Sequence, residues 1–290
     1  QRGDLSGKIT AQYGYTILLD ECSKITSCFH NCPFSRESKI IDKDLEEFRH
    51  VLPIPPVKGV DIDLFFGSAC SSGSKFLVSL WQREKSVSPA QCIEKKELIV
   101  NCDNSLLASS LFDANISSGK DSWITFKPLS GNHLKGFINV VFRNKVKNKC
   151  LDGIHSANFA KDRNRSISNN CFNVSRSLKF CPFPFSRLSN QLSFLAIYGA
   201  WNKDVRVRIR IFSAEDPSFE FLFTEKIRAR EVKYLNLINK IPRDKYSTES
   251  YQTYICQLES EEANLDGNLF NISTNEQEAV RLSVDHLTGG

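Results

Sequence analysis

The chain has no methionine, no run of about 20 apolar residues able to span a bilayer as a helix, and nothing laid out like a secretory leader. It is therefore expected to be a mature form, cut at Gln1, with any membrane anchor lying outside it. The spacings that mark catalytic or metal chemistry are missing too. There is no His-Glu-x-x-His, no Gly-x-Ser-x-Gly elbow and no facing Cys-x-x-Cys pairs at zinc spacing. The five histidines, His30, His50, His133, His155 and His286, are scattered. No enzymatic activity, metal or cofactor is expected. A net charge of +5 over 290 residues is far from the dense basic patch that nucleic acid requires, so nucleic acid is not an expected partner. Helical periodicity is scarce, Asp42 to His50 being the best short candidate.

Cysteine, by contrast, is plentiful. Ten of them are more than a reducing cytosol usually leaves in a chain of this size, and their even number suits disulfides. Four acceptor sequences for N-glycans, at Asn115, Asn164, Asn173 and Asn271, none with an intervening proline, point to the same oxidising route. The expected address is extracellular or cell-surface. With 41% hydrophobic and 24% charged residues the chain is globular, and its length favours two domains.

Comparison of the chain with itself reveals an internal duplication. Val60-Asp-Ile-Asp-Leu-Phe-Phe-Gly-Ser-Ala69 aligns with Val205-Arg-Val-Arg-Ile-Arg-Ile-Phe-Ser-Ala214, 145 residues further on. Other landmarks follow in order: Cys28-Phe29 with Cys171-Phe172, Cys32-Pro-Phe-Ser-Arg with Cys181-Pro-Phe-Pro-Phe-Ser-Arg187, and Ile99-Val-Asn-Cys102 with Tyr254-Ile-Cys256. Leu111 to Asn115 then matches Leu269 to Asn271, and Trp123 to Gly131 matches Val280 to Gly290. The charged stretch 143–149 serves as the boundary, giving units 1–147 with six cysteines and 148–290 with four, the second expected to be cut short at its C-terminal end. Cys70 and Cys92 lack counterparts in this alignment, which pairs them with each other. The rest leave three pairings open, of which the nested one is preferred: Cys22 with Cys28, Cys150 with Cys171, Cys32 with Cys102, and Cys181 with Cys256.

Period-two alternation marks the segments starting at Val60 and Val205 as half-buried strands. Further β-branched or aromatic strands are expected at Lys75 to Trp81, Trp123 to Phe126, Phe137 to Phe142, Ser193 to Tyr198 and Phe219 to Thr224. The expected fold is all-β, two tandem antiparallel β-sandwiches. On the clearest strand Arg206, Arg208 and Arg210 share one face while Val205, Val207, Ile209 and Ile211 share the other. That arginine strip is the candidate binding face for an acidic protein or glycan, and Asp61 and Asp63 hold the matching place in the first unit. Arg2-Gly-Asp4 spells an integrin-binding tripeptide, read as a chance match at the start of the chain.

The stretch Ser118-Gly-Lys-Asp-Ser-Trp-Ile-Thr-Phe-Lys-Pro-Leu-Ser-Gly-Asn-His-Leu-Lys-Gly136-Phe137-Ile-Asn-Val-Val-Phe142 resembles the closing strands of a CUB domain. Cys150-Leu-Asp-Gly-Ile-His-Ser-Ala-Asn-Phe159 up to Cys171 is similar to that domain's opening. The resemblance covers about half of each unit and implies that Cys70 and Cys92 form the module's second disulfide. Two departures stand out. Asn173 replaces the usual tryptophan after the second cysteine, and Ser-Ser-Gly-Ser after Cys70 lacks the acidic set of calcium-binding members, so no calcium site is expected.

CUB domains mostly mediate protein contacts, so the resemblance implies a non-enzymatic ligand-binding part of a cell-surface or secreted glycoprotein, its partner another extracellular protein. Two alternatives remain. One is a carbohydrate- or lipid-binding sandwich, which needs Trp81, Trp123 or Trp201 exposed as a platform; the other is the accessory region of a larger secreted enzyme.

Overall fold

The structure, a computed structural model, describes residues 10–19, 24–33, 49–67, 69–84, 88–114, 116, 119–133, 138–147, 149–158, 177–185, 191–216, 218–242, 252–263, 265–275 and 278–289. The fold is all-β. An N-terminal two-stranded sheet pairs β1 (Thr10–Leu19) with β2 (Lys24–Pro33). Then come β3 (His50–Ile54), β4 (Val60–Phe65), β5 (Lys75–Arg83), β6 (Gln91–Ile99), β7 (Leu106–Leu107), β8 (Asp121–Ser130), β9 (Asn139–Asn144), β10 (Lys149–His155) and β11 (Ala157–Asn158). The second half supplies β12 (Ser177–Phe185), β13 (Gln191–Tyr198), β14 (Val205–Ser213), β15 (Glu220–Ile227), β16 (Lys233–Asn236), β17 (Gln252–Ser260), β18 (Asp266–Asn275), β19 (Glu278–His286) and β20 (Thr288–Gly289). Among the described residues a short α-helix, α1 (Leu237–Lys240), is capped by the Asn236 side chain, which accepts from the Asn239 N–H.

Four sheets organise these strands, with all their ladders antiparallel. Sheet I runs β11-β3-β8-β5-β6 and sheet II runs β10-β9-β4-β7; sheet III runs β15-β14-β17-β12-β20 and sheet IV runs β16-β13-β18-β19. Substituting β12 for β3, β13 for β4, and so on to β20 for β11, turns sheet I into sheet III and sheet II into sheet IV without a change of order. The duplication is therefore a property of the hydrogen-bond topology, with equivalent strands about 130 residues apart.

This corrects the alignment read from the sequence. The counterpart of β14 is β5, not the strand beginning at Val60, and β4 corresponds to β13. Alternation of apolar and charged residues is common to any half-buried strand, so it matched the wrong pair. Asn115 and Asn271 are likewise not equivalent, since Asn271 lies on β18, the counterpart of β9. Residues 149–158 fall beyond the expected boundary, yet β10 pairs with β9 and β11 with β3, extending the first half's sheets. Each of β3 to β11 has its counterpart among β12 to β20. Of the expected helix, 42–48 lie outside the described residues, and His50 opens β3.

The second half's core lies between sheets III and IV: Val207, Ile209, Ile211, Phe183 and Leu258 meet Leu195, Ile197 and Leu269. The neighbouring residues Ala196, Tyr198, Phe270 and Ile272 turn to the other face of sheet IV and join the core cluster of the first half. The C-terminal part of β13, in the centre of sheet IV, is thus buried on both faces. That is why β13 reads as the nearly unbroken apolar run Phe194 to Tyr198, where a half-solvated strand would alternate.

Candidate functional site

The contact between the halves defines which surfaces remain open. Sheet I turns its outward face toward the second half, and two rows of that face are central. Trp81, Trp123 and Pro53 are register partners in one row, and Ser79, Thr125 and Val51 in the next. Trp81 stacks on Trp123 at 6.3 Å with an interplanar angle of 4°, and its indole N–H donates to Thr125 Oγ1 at 3.0 Å. Trp201 meets Trp81 edge-on, and the guanidinium groups of Arg49 and Arg230 both lie over its ring, 5.1 and 5.7 Å from the centroid. The tryptophans belong to this internal contact, with Trp123 fully buried, and do not form an exposed platform.

Polar groups fix the register of the halves. Arg83, buried on β5, donates to Glu231 at 2.6 Å, and the other Glu231 oxygen accepts from the Ala90 N–H at 2.8 Å. Arg230, at φ 65°, turns the chain immediately before Glu231. The buried Tyr234 hydroxyl donates to the Ser122 carbonyl and accepts from the Ile54 N–H at 2.9 Å. Burial holds the Tyr234 phenol well above its usual pKa, so it keeps the proton it donates. At the other end Phe142 meets Phe270 edge-on, and Asp152 accepts from the Val284 N–H.

The equivalent face on sheet III is partly exposed. The row Leu80, Ile124, Leu52 behind the first half's tryptophans corresponds to Ile211, Cys256, Cys181 in the second. It follows that Phe212, Ile255 and Pro182 stand where Trp81, Trp123 and Pro53 stand, and that Arg210, Gln257 and Phe180 replace Ser79, Thr125 and Val51. Pro182 is exposed, and Phe212, Ile255 and Phe180 are half-buried.

The arginine strip flanks this apolar row. Along β14 the residues alternate buried and exposed, Arg206, Arg208 and Arg210 all pointing outward, as the period-two pattern predicts. Arg210 pairs with Glu220 at 2.7 Å and lies over the Phe212 ring; the hydrogen bond with Glu220 raises the Arg210 pKa and lowers that of Glu220. Arg208 stands opposite Glu259 and Thr224. The face is a mixed apolar and cationic sheet surface with two carboxylates at its rim.

Asp61 and Asp63 differ from this. Both are buried, Asp61 accepting from the Ser109 N–H and hydroxyl and Asp63 paired with Arg143. They satisfy internal donors and present no acidic face to match the arginines.

The cysteines are placed as follows. Cys181 and Cys256 are register partners. Cys70 lies beside Cys102, sulfur to sulfur 3.8 Å, and not beside Cys92, whose thiol points to the Glu94 carbonyl. The expected Cys70 with Cys92 rested on their lacking counterparts and on the CUB resemblance, and Cys32 with Cys102 on matching Cys102 to Cys256; the strand equivalence removes that match and leaves Cys102 without a counterpart as well. The Cys28 and Cys32 backbones lie in β2, that of Cys150 in β10, and Cys22 and Cys171 lie outside the described residues.

Of the glycan acceptors, Asn271 is half-buried on β18, its Oδ1 accepting from Ser193 Oγ at 2.8 Å, while Asn115, Asn164 and Asn173 lie outside the described residues, as do Arg2 and Asp4. Among the described residues no group of three or more His, Cys, Asp or Glu side chains is placed to hold a metal, and no helix is long and apolar enough to cross a membrane.

No protein-family model matches this chain, and no curated protein sequence does. The site therefore rests on its own geometry. Sequence reading found the arginines but missed Phe212, Ile255 and Pro182, whose signal was the break in alternation at Arg210-Ile-Phe212. It also missed Arg83, Glu231 and Tyr234, since nothing local marks a residue for a contact about 110 to 150 positions away.

Proposed function

We propose that the chain is an extracellular protein-binding module: two tandem, disulfide-linked and N-glycosylated β-sandwiches of the CUB kind, part of the ectodomain of a cell-surface glycoprotein or of a secreted one. It is not an enzyme. It binds another extracellular protein through the outward face of sheet III, where Arg206, Arg208 and Arg210 border Phe212, Ile255 and Pro182.

One observation carries the reading. This face is the row-for-row counterpart of the face on sheet I that the second half covers with aromatic residues and the carboxylate Glu231. The partner we infer uses the same chemistry: a sheet face with tyrosine or other aromatic side chains at its centre and a carboxylate for the arginines. Charge complementarity of this kind adds specificity and speeds encounter. The carbohydrate or lipid alternative loses its best support, because the three tryptophans gather in the contact between halves.

A photoreactive residue at Ile255 of the glycosylated chain, presented to intact cells, tests the reading. Crosslinking to a protein, abolished by Arg208→Glu together with Arg210→Glu, supports it. Crosslinking indifferent to the charge reversal, or confined to glycan or lipid, sinks it.

A further inference from the structure

We propose that Cys70 and Cys102 form a disulfide that clasps the turn after β4 to the turn after β6. Their sulfur atoms lie 3.8 Å apart, and Cys102 Sγ is 3.2 Å from the Cys70 carbonyl oxygen. A small approach of the two side chains reaches the roughly 2 Å of an S–S bond.

The backbone around the pair is already fixed. The Gly73 N–H donates to the Val100 carbonyl at 2.8 Å, and the Val100 N–H donates to the Ser74 carbonyl at 3.0 Å. The Cys102 N–H donates to Ser72 Oγ at 2.8 Å. On the other side the Ser71 N–H donates to the Asn132 carbonyl at 3.0 Å, and Gly131 approaches so closely that a Cβ there would meet the Ser74 Cα at 2.6 Å. The turn bearing Cys70 is thus held against the strand end bearing Cys102.

The duplication supplies an independent argument. The segment before β14 and the one between β15 and β16, counterparts of the two turns, contain no cysteine. Both members of the pair are therefore peculiar to the first half, as expected of residues that depend on each other. Removing Cys70, Cys102, Cys181 and Cys256 from the ten leaves six cysteines, an even set that includes Cys92, so the assignment strands no thiol.

The chemistry balances with a disulfide donor, such as glutathione disulfide or an oxidoreductase of the secretory route. The half-exposed Cys102, as thiolate, attacks the donor disulfide and releases one donor thiol. Cys70 then gives up its proton and attacks the Cys102 sulfur, expelling the second. Burial, followed by the Cys102 neighbour, pushes the Cys70 thiol up to about 12; Cys102, the more exposed of the two, is the sulfur a donor reaches first.

The proposal rests on the oxidising compartment of the reading above, and one experiment separates the two. The secreted chain is alkylated without reduction, digested with trypsin and mapped by mass; cleavage at Lys58, Lys75, Lys85, Lys95 and Lys96 puts Cys70, Cys92 and Cys102 on different peptides. The expected result is a peptide bearing Cys70 joined to one bearing Cys102. Cys70 joined to Cys92 or Cys32, or alkylated beside other bridged cysteines, overturns the proposal. If every cysteine is alkylated, the compartment reading fails, and the clasp is then judged by exposing the folded chain to glutathione disulfide, where a Cys70–Cys102 link must still form before any other involving Cys70. A Cys102→Ser chain must lose this link, with Cys70 then recovered alkylated only after denaturation.

Discussion

Cys181 faces Cys256 across β12 and β17 at the place where Leu52 faces Ile124 across β3 and β8. Both pairs are buried in the centre of a sheet, one as thiols and one as branched aliphatic side chains. The Cys181 thiol beside it, together with burial, holds Cys256 well above the usual thiol pKa. One topological position thus serves the same packing purpose with two chemistries, and only the second half gains the option of a covalent link.

That option predicts an order of stabilities. In oxidised protein, Cys181→Ala with Cys256→Ala is expected to cost about 4 kcal/mol, the loop-entropy value for a link this long, plus the packing lost. Cys181→Leu with Cys256→Ile, which installs the first half's pair, is expected to recover packing and fall between the two. Urea denaturation without reductant gives the comparison; equal stability of the parent and the alanine variant means the pair is not bridged.

The contact between the halves is expected to behave as core, not as a loose interface. Glu231→Gln removes the nearer of the two carboxylates beside the buried Arg83, leaving Asp121 at 3.7 Å, and is expected to cost about 3 kcal/mol. Tyr234→Phe removes the partner of two buried backbone groups, Ser122 C=O and Ile54 N–H, and is expected to cost about 1 to 3 kcal/mol. Losses below about 0.5 kcal/mol, the range of neutral surface changes, would mean the two halves separate in solution.

A shared core also predicts one unfolding transition. Phe270, Ile272 and Tyr234 pack in the same cluster as Trp123 and Phe142, so neither half can open without exposing apolar surface of the other. Tryptophan fluorescence reports chiefly the contact, through Trp81, Trp123 and Trp201, while circular dichroism reports all the sheets. The two signals are expected to coincide in urea, and separate midpoints would count against a common core.

Acid is expected to weaken the fold before the carboxylates titrate. Burial, and then the charge of His133, lowers the His50 pKa to about 3, and burial lowers His133 too. A histidine held below its unfolded value near 6.5 contributes stability that is complete above that pH and declines as pH falls toward the folded pKa, by about 1.4 kcal/mol per pH unit per group. Asp121, Asp152 and Asp266, raised by burial, act with the opposite sign as they protonate, so the histidine contribution is read just below about pH 6.5, where the unfolded histidine begins to charge. His50→Gln should flatten the slope there by one proton, measured as the urea midpoint against pH; an unchanged slope would remove His50 as its source.

Some features were legible in the sequence because they are local. The alternation from Val205 to Ile211 needs only neighbouring residues, and β14 buries its aliphatic face and exposes its arginines as that pattern dictates. Strands at Lys75, Trp123 and Ser193 were equally readable from β-branched and aromatic content. The fact of duplication was legible too, but its register was not. Half-buried strands resemble one another more than they resemble their true counterparts, and Leu52 can stand for Cys181 once topology alone defines the equivalence.

What the sequence by itself determined, then, is the all-β character and the two-faced strand that carries the arginines, because pleat and side-chain alternation are set within a few residues. The tertiary structure alone decided that β10 and β11 complete the first half, that Asp61 and Asp63 are spent on internal donors, and that Cys70 meets Cys102. It also decided that the outward face of sheet I is covered by the second half while that of sheet III is partly exposed. These depend on which strands pair and which faces meet, over separations from 32 residues for Cys70 and Cys102 to 148 for Arg83 and Glu231, and such contacts are chosen by burial of whole surfaces rather than by any local pattern.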